Sequence, residues 1–507
     1  MKPAIAYRHL LCGVLGTLGY AWGCSGGGGS DTGDTARAGS SQGGGAPTAS
    51  GGSGSDEAST VPGLRPEPLS DASDALFDPT VLRRIDIDIP TDNGSPSSWE
   101  SIAAEAPAPS GCVAVHRNYY EGSITFEGQT YEGVGVRTKG GCGSSQELEE
   151  KPSFKLHLAW DSDEEDEECP LERTIYGRKH LTLNNGVQDT TAMHEHLSFR
   201  YYRAVGVPAP RTAAIQVYVN GEYYGVYQLV ETIDRQFLKR WFNTRLGKGM
   251  MYEGSYFCDI LSGDGDNRPQ DGSCWEREFE LDGCDAQPDP EDDLQWYESD
   301  GETLQDPWKF LKELGGTLDD IQGAQSYYPA ITATVAWEQF AAMWAASSII
   351  VDWDGYAPWQ NNYRIYHEPA TDLWYFVPWG TDQTWVAVGG GGGWGDWGGD
   401  GPGTFGILAP KGDVARLCME ASGTDSRGMT CEQRYIEELY RQLEVFESID
   451  WASDIDAWTA RLSAAMQLDD GGRGQSYSAW QRSVTELHSF VESRAAEVRR
   501  ELTAAGY

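Results

Sequence analysis

Positive charge is scarce in this sequence. Its 507 residues hold 38 lysines and arginines against 78 aspartates and glutamates, a formal net charge of −40. A surface of that sign repels nucleic-acid phosphates and anionic lipid, which excludes nucleic acid as a partner. None of the ten cysteines forms a C-x-x-C pair, so a thiolate zinc site is not indicated. The triplet His194-Glu195-His196 begins like H-E-x-x-H, but Ser198 stands where the second histidine belongs. The two histidines point to different sides of a helix and read as packed or surface residues. No Walker A loop is present, because "KGGCGSS" has the wrong glycine-to-lysine order. No internal repeat is evident. A membrane span is missing too. Leu10 to Trp22 is too short, and "ITATVAWEQFAAMWAASSII" carries Glu338 and two serines, which suit a buried central helix instead.

What is present points to an exported globular protein. Tryptophan (19 residues), tyrosine and glycine are abundant, as expected for aromatic-rich cores with many turns. Lys2 and Arg8 flank the short apolar run, so residues 1–24 read as a signal peptide, with Cys24 in "AWGCSGGGGS" as a candidate lipoprotein cysteine. Membrane contact is expected only through a lipid on Cys24; plain secretion is the alternative. Residues 25–75 are rich in Gly, Ser, Thr, Ala and Pro and are expected to form a flexible tether. The eight cysteines beyond residue 24 form an even set, which in an exported chain favours disulfides. Cys274–Cys284 and Cys418–Cys431 are local candidates, although spacing does not fix connectivity.

Alternating patterns dominate the first half. "SITFEGQTYEGVGVRTKG" and "SFKLHLAW" read as strands, and "AAIQVYVNGEYYGVYQLVETID" as a hairpin with a type I′ turn at Asn220-Gly221. "DTTAMHEHLSFRYYRAVG" reads as a helix capped by Asp189. The acidic run "DSDEEDEE" and "GDGDNRPQDG" read as solvated or disulfide-pinned loops. They leave open a weaker reading, a calcium-stabilised adhesin. Two amphipathic helical stretches close the chain.

The segment "VDWDGYAPWQNNYRIYHEP" carries the candidate chemistry. It lies between the apolar helix and two strands, "YRIYH" and "LWYFVPWG". An antiparallel pair brings Asn362, before the first strand, near Asp382, after the second. Asp354 feeds the same end. Hard oxygen ligands suit a divalent cation, and a separate carboxylate can take a hydroxyl proton, so the order Asp…Asn…Asp matches the parts of a phosphoryl-transfer site. The same residues also build ordinary turns, and that reading stays open at this point. A nucleotide needs local cations. Arg137, Lys139 and Lys155 lie on adjoining strands beside the Gly/Ser loop 140–145. Lys155 is the candidate phosphate contact, with Glu195 or Glu231 as its partner.

Five ordered blocks resemble the spore-coat-protein-H (CotH) family of atypical secretory protein kinases. They are "GVGVRTKGGCGSS…KPSFKLHL", "LNNGVQDTTAMHEHLSFRYYRAVGVPAP", "VYVNGEYYGVYQLVETIDRQFL", "DWDGYAPWQNNYRIY" and "WYFVPWGTDQTW". They span roughly 110 to 400. The resemblance implies an α+β, atypical protein-kinase-like bilobal fold, with a β-rich N-lobe over 76–245 and a mainly helical C-lobe over 246–507. It implies transfer of the ATP γ-phosphoryl group to Ser or Thr of exported or cell-envelope proteins, with Mg²⁺ or Mn²⁺. Asp354 matches the family's catalytic aspartate, and Asn362 and Asp382 its metal-binding positions. The family's "PWD-x-D" block is "PWGTD" here, with Gly380 at the first acidic position. Asp396 or Asp400 in the following glycine loop could compensate. That departure makes a non-catalytic envelope protein on the same fold the alternative.

Overall fold

In the computed structural model, the described residues are 61–106, 117–141, 143–160, 173–242, 249–254, 259–261, 275–277, 309–324, 328–388, 405–420 and 422–507. The signal and lipoprotein region, Cys274–Cys284, the acidic and calcium-like loops, Asp396 and Asp400 lie outside them.

Seven strands close into a barrel: β1 (Arg83–Asp88), β2 (Tyr120–Phe126), β3 (Gln129–Lys139), β4 (Ser153–His157), β5 (His180–Asn184), β6 (Thr212–Val219) and β7 (Glu222–Val230), in the order β1-β2-β3-β4-β5-β7-β6. Alternation decides which residues fill it. Val134, Val136, Phe154, Leu156, Leu181, Leu183, Ile215, Val217 and Leu229 belong to one buried cluster. The intervening residues Arg137, Lys139, Lys155, Thr182 and Asn184 therefore stand on the outer face. Register aligns them, with Arg137 opposite Lys155 and Lys155 opposite Thr182. The β6–β7 hairpin turns on Asn220 (φ +49°) and Gly221 (φ +81°), the left-handed pair that a type I′ turn requires.

A second sheet has the order β11-β10-β8-β9, from β8 (Met250–Gly254), β9 (Trp275–Arg277), β10 (Tyr363–Glu368) and β11 (Leu373–Pro378). Eleven helices are described: α1 (Ser98–Glu105), α2 (His194–Ala204), α3 (Arg235–Trp241), α4 (Lys309–Ala324), α5 (Ala330–Thr334), α6 (Trp337–Ile349), α7 (Tyr356–Trp359), α8 (Asp413–Glu420), α9 (Cys431–Ser448), α10 (Trp451–Asp469) and α11 (Tyr477–Ala504). The class is mixed α+β, and the β-rich half is a closed barrel. Among the described residues no helix is long and apolar enough to cross a membrane.

α6 is the central buried helix. Every residue except Glu338 is buried. Gln339 locks it to β11: Nε2 donates to the Phe376 carbonyl (2.7 Å), and Oε1 accepts from the Phe376 amide (3.1 Å). Trp344 stacks on Tyr435 of α9 at 3.5 Å between centroids. Arg494 of α11 donates to the carbonyls of Ile349 (2.7 Å) and Ser348 (2.8 Å), satisfying the end of α6 where the helix dipole favours a cation. A disulfide, Cys418–Cys431, joins α8 to α9.

The folded body begins before residue 76, which corrects the expected tether. Leu64 is buried, the Arg65 amide donates to the Trp241 carbonyl (2.9 Å), and Tyr375 Oη donates to the Pro62 carbonyl. Asp71 and Asp74 both pair with Arg211. Gly/Pro composition alone did not reveal these few apolar and acidic anchors.

Candidate functional site

The end of α6 delivers the chain into a strained loop. Val351 has φ +54°, a conformation costly for a β-branched residue, and Gln360 (+57°), Asn362 (+52°) and Trp385 (+59°) are also left-handed. Such strain persists only where surrounding contacts fix it, and it concentrates at functional sites. Here the contacts are explicit. The Trp385 amide donates to the Ile350 carbonyl (2.7 Å), and the Trp379 amide to the Asn362 carbonyl (3.1 Å).

Asp354 sits inside this loop, buried, within a ring of side-chain amides. Asn361 Nδ2 donates to its Oδ1 (3.1 Å); Asn362 Nδ2 (2.8 Å) and Gln383 Nε2 (3.2 Å) donate to Oδ2. Burial raises its pKa to about 6, against the lowering effect of Asn361 and Asn362. A buried carboxylate poised near neutrality, steadied by neutral donors, is suited to accept a proton. Asp352, two residues earlier, is buried against Tyr202, whose Oη donates to Oδ2 (2.9 Å); burial raises this carboxyl to about 7.

β10 and β11 pair antiparallel from Tyr363–Pro378 to Glu368–Leu373, and so return the chain to the same end. Asp382 follows in a 3-10 turn, Thr381–Gln383. Its backbone carbonyl contacts His194 Nδ1 (2.9 Å). The residue is partly exposed. Burial first, then Glu195, Asp189 and Asp354, push its pKa well above the ordinary range. Among the described residues no cationic side chain pairs with this carboxyl. Nor do any three carboxylate, histidine or cysteine side chains among them form a metal cage on their own.

Asn362 divides its amide: Nδ2 faces Asp354, and Oδ1 faces Gly380. A Cβ at Gly380 would lie 2.5 Å from that oxygen, and Gly380 is itself left-handed (φ +55°). The glycine in "PWGTD" thus makes room for the Asn362 amide. The sequence expectation put Asn362 and Asp382 on the cation and Asp354 beside them as the base. The geometry gives Asp354 to its amide ring and turns Asn362 Oδ1 to Gly380.

The cationic wall is the outer face of β3 and β4. Lys139 Nζ donates to Asn184 Oδ1 (2.5 Å), and Asn184 Nδ2 donates to both oxygens of Glu195 (2.7 and 3.0 Å). Desolvation lowers the Lys139 pKa to about 8, opposed by Glu195 and Glu253 and assisted by Lys155 and Arg364. Burial raises the Glu195 pKa to about 7. Glu195 is therefore tied to Lys139 through Asn184, a relay the sequence reading missed. Its signal was the first asparagine of "LNNG", directly ahead of the helix that carries Glu195.

Other candidates fall elsewhere. Glu231, expected as a partner for Lys155, is fully buried among Arg211 (2.7 Å), Arg240 (2.9 Å) and Arg178 (3.6 Å), where it braces the barrel. Arg137 donates to the Arg117 carbonyl (3.0 Å) and lies over Tyr119 (4.4 Å). Lys155 is half-buried on β4. His196 packs on Trp458 (3.9 Å between centroids) and contacts Thr212 Oγ1 (2.9 Å), as expected of a packed histidine. Asp189 accepts from the His194 amide (2.7 Å) at the start of α2.

Inner spore coat protein H of Bacillus subtilis (strain 168) is 24% identical over 214 residues, covering 42% of this chain and 52% of that protein. The chain thus spans about half the length of the curated relative it matches. The family model described as CotH kinase protein matches residues 136–498, which takes in the lysine relay, the Asp354 loop and the helices that brace it. The chain belongs to the CotH kinase protein family.

Proposed function

We propose that this chain is an atypical, kinase-like bilobal protein kinase that transfers the ATP γ-phosphoryl group to Ser or Thr hydroxyls of exported or cell-envelope proteins. One observation carries the reading. His194, the neighbour of Glu195 on α2, contacts the Asp382 carbonyl (2.9 Å), and Gln383, the neighbour of Asp382, donates to Asp354 (3.2 Å), so the helix that ends the lysine relay, the candidate metal ligand and the candidate base are linked by direct contacts. The barrel meets the second sheet here, with Lys139 of β3 lying 5.5 Å from the ring centre of Trp379, the residue after β11.

The residues fit a hard divalent cation. Asp382 stands among carboxylates without a cationic partner, and Mg²⁺ or Mn²⁺ takes one or two carboxylates together with phosphate oxygens rather than a full protein cage. Asp382 and Asn362 Oδ1 would hold it, and the ion would neutralise charge on the transferring phosphoryl group. Lys139, held by Asn184 and Glu195, meets the phosphates. Asp354 orients the acceptor hydroxyl and takes its proton as the new O–P bond forms. The bond from Pγ to the bridging oxygen breaks, and ADP leaves.

Gly380 supports a second reading, a non-catalytic envelope protein on the same fold, because it removes an acidic side chain beside Asp382. Both readings accept an exported protein. Lipid attachment at Cys24 remains part of the proposal. Incubation with γ-labelled ATP and Mg²⁺ or Mn²⁺ separates them: labelled phosphoserine or phosphothreonine in a generic acceptor or in the chain itself supports the kinase. Nucleotide binding without transfer by the wild type supports the second reading. Absence of any ATP binding overturns the kinase.

A further inference from the structure

We infer that Asp259 is a positioning residue for the phosphoryl-transfer loop: its carboxylate fixes both ends of α7, and through them the asparagine pair that steadies Asp354. This deepens the kinase reading above and rests on it. Asp259 is fully buried. Its Oδ1 accepts from the Tyr356 hydroxyl (3.2 Å) and the Ile260 amide (2.7 Å), and its Oδ2 from Gln360 Nε2 (3.0 Å) and the Asp413 amide (2.6 Å). Tyr356 opens α7 and Gln360 directly follows it. The single turn between them carries the chain from Asp354 to Asn361. Gln360 is left-handed (φ +57°), a conformation that persists where contacts hold it. The next two residues, Asn361 and Asn362, donate to Oδ1 and Oδ2 of Asp354 (3.1 and 2.8 Å). A change of chain direction at Gln360 therefore draws both amides off the candidate base.

A cap for α8 alone would not need this arrangement. The start of α8 asks only for an acceptor at the Asp413 amide, which a neutral serine or asparagine supplies. A carboxylate here bears the cost of burial and the repulsion of Asp413, which raise its pKa to about 7. What the carboxylate adds is capacity. Ionised, it is acceptor-only with room for several donors, so one group can hold the two ends of α7 and the start of α8 together. The segment leading into α8 serves as the platform. The Ala357 carbonyl of α7 accepts from the Lys411 (2.6 Å) and Gly412 (3.0 Å) amides, and the Tyr356 hydroxyl accepts from the Val414 amide (3.1 Å). The approach is close: a Cβ at Gly412 would lie 2.8 Å from the Tyr356 carbonyl oxygen.

The test compares full-chain variants by phosphate transfer from γ-labelled ATP to casein with Mg²⁺, and by hydrogen–deuterium exchange without nucleotide. Asp259→Asn keeps the shape but turns an N–H₂ toward these donors. Gln360→Met keeps the length and removes only the donor at the end of α7. Both are expected to lower kcat about 10- to 100-fold, the effect of a misplaced reacting group, with KM for ATP unchanged. Both are expected to speed exchange over residues 355–362 and not in α6. Arg416→Gln, which cuts the bond from Arg416 to Asp413 (2.9 Å) and leaves α7 alone, is expected to match wild type in both readouts. If Asp259→Asn fails to fold, Gln360→Met carries the test. The inference is overturned if Gln360→Met keeps the wild-type kcat, or if its exchange over 355–362 is unchanged. It is equally overturned if Arg416→Gln loses as much kcat, the mark of a general brace on α8. A wild-type chain that transfers no phosphate overturns the kinase reading instead; exchange then decides the anchor, upheld by a local rise in Gln360→Met and overturned by none.

Discussion

Replacing Asp354 by asparagine should change stability in a way that depends on pH and is separable from any loss of activity. The wild-type carboxyl has a usual value of 3.8 and a folded value of about 6, raised chiefly by burial. Because the folded value is the higher one, its contribution is fully present below the unfolded pKa and is lost as pH rises through about 6. The displacement is worth about 3 kcal/mol in total, and about 2 kcal/mol of it falls between pH 4.5 and pH 8. Asparagine does not ionise and loses nothing over that interval. It does turn an N–H₂ toward Asn361, Asn362 or Gln383, each of which now donates to the carboxylate, at a pH-independent cost of about 1–3 kcal/mol. The variant should therefore melt below wild type at pH 4.5, and the gap should close by about 2 °C at pH 8 for a body of this size. Differential scanning fluorimetry of both proteins across that range measures it. A gap that stays constant, or widens as pH rises, would show that Asp354 is not an enclosed carboxylate, and the assignment as a base near neutrality would fail with it.

Asn184→Ala removes the link between Lys139 and Glu195; it is expected to cost about 1–3 kcal/mol, read as a lower melting temperature, and to weaken ATP binding measured by calorimetric titration. Gly380→Ala forces a Cβ against the Asn362 amide in a left-handed conformation. It should abolish phosphate transfer while circular dichroism stays native-like, and full activity in this variant would contradict the role given to the Asn362 amide. Mg²⁺ should raise the melting temperature more at pH 8 than at pH 5. Burial, then Glu195, Asp189 and Asp354, push the Asp382 carboxyl well above its ordinary value, so the group that would hold the ion is mostly neutral at the lower pH and attracts a cation only above it.

Local pattern carried much of this fold into view from the sequence. The Asn220-Gly221 hairpin, the buried α6 with its lone exposed Glu338, and the antiparallel pairing of β10 with β11 all follow from period and turn chemistry. Barrel closure did not, because the parallel pairing of β1 with β6 joins residues 83–87 to 215–219 and no local signal marks it. The contact of Asn362 with Asp354 could be anticipated, because the two lie close in sequence. The partners of the cationic residues could not be anticipated in the same way. Alternation places Lys139 and Lys155 on the same face and cannot say which one meets α2. Asn184, on a third strand, decides it. Glu231 looked available at the end of a hairpin, yet its neighbours are arginines at 178, 211 and 240, gathered only by the fold.

The most direct test is a crystal structure of the chain with Mn²⁺ and a non-hydrolysable ATP analogue. The account predicts a metal ion on the Asp382 carboxylate and Asn362 Oδ1, phosphate oxygens on Lys139, and Asp354 in its amide ring facing the γ-phosphoryl group. A nucleotide bound elsewhere, or a metal that leaves Asp382 untouched, would contradict it.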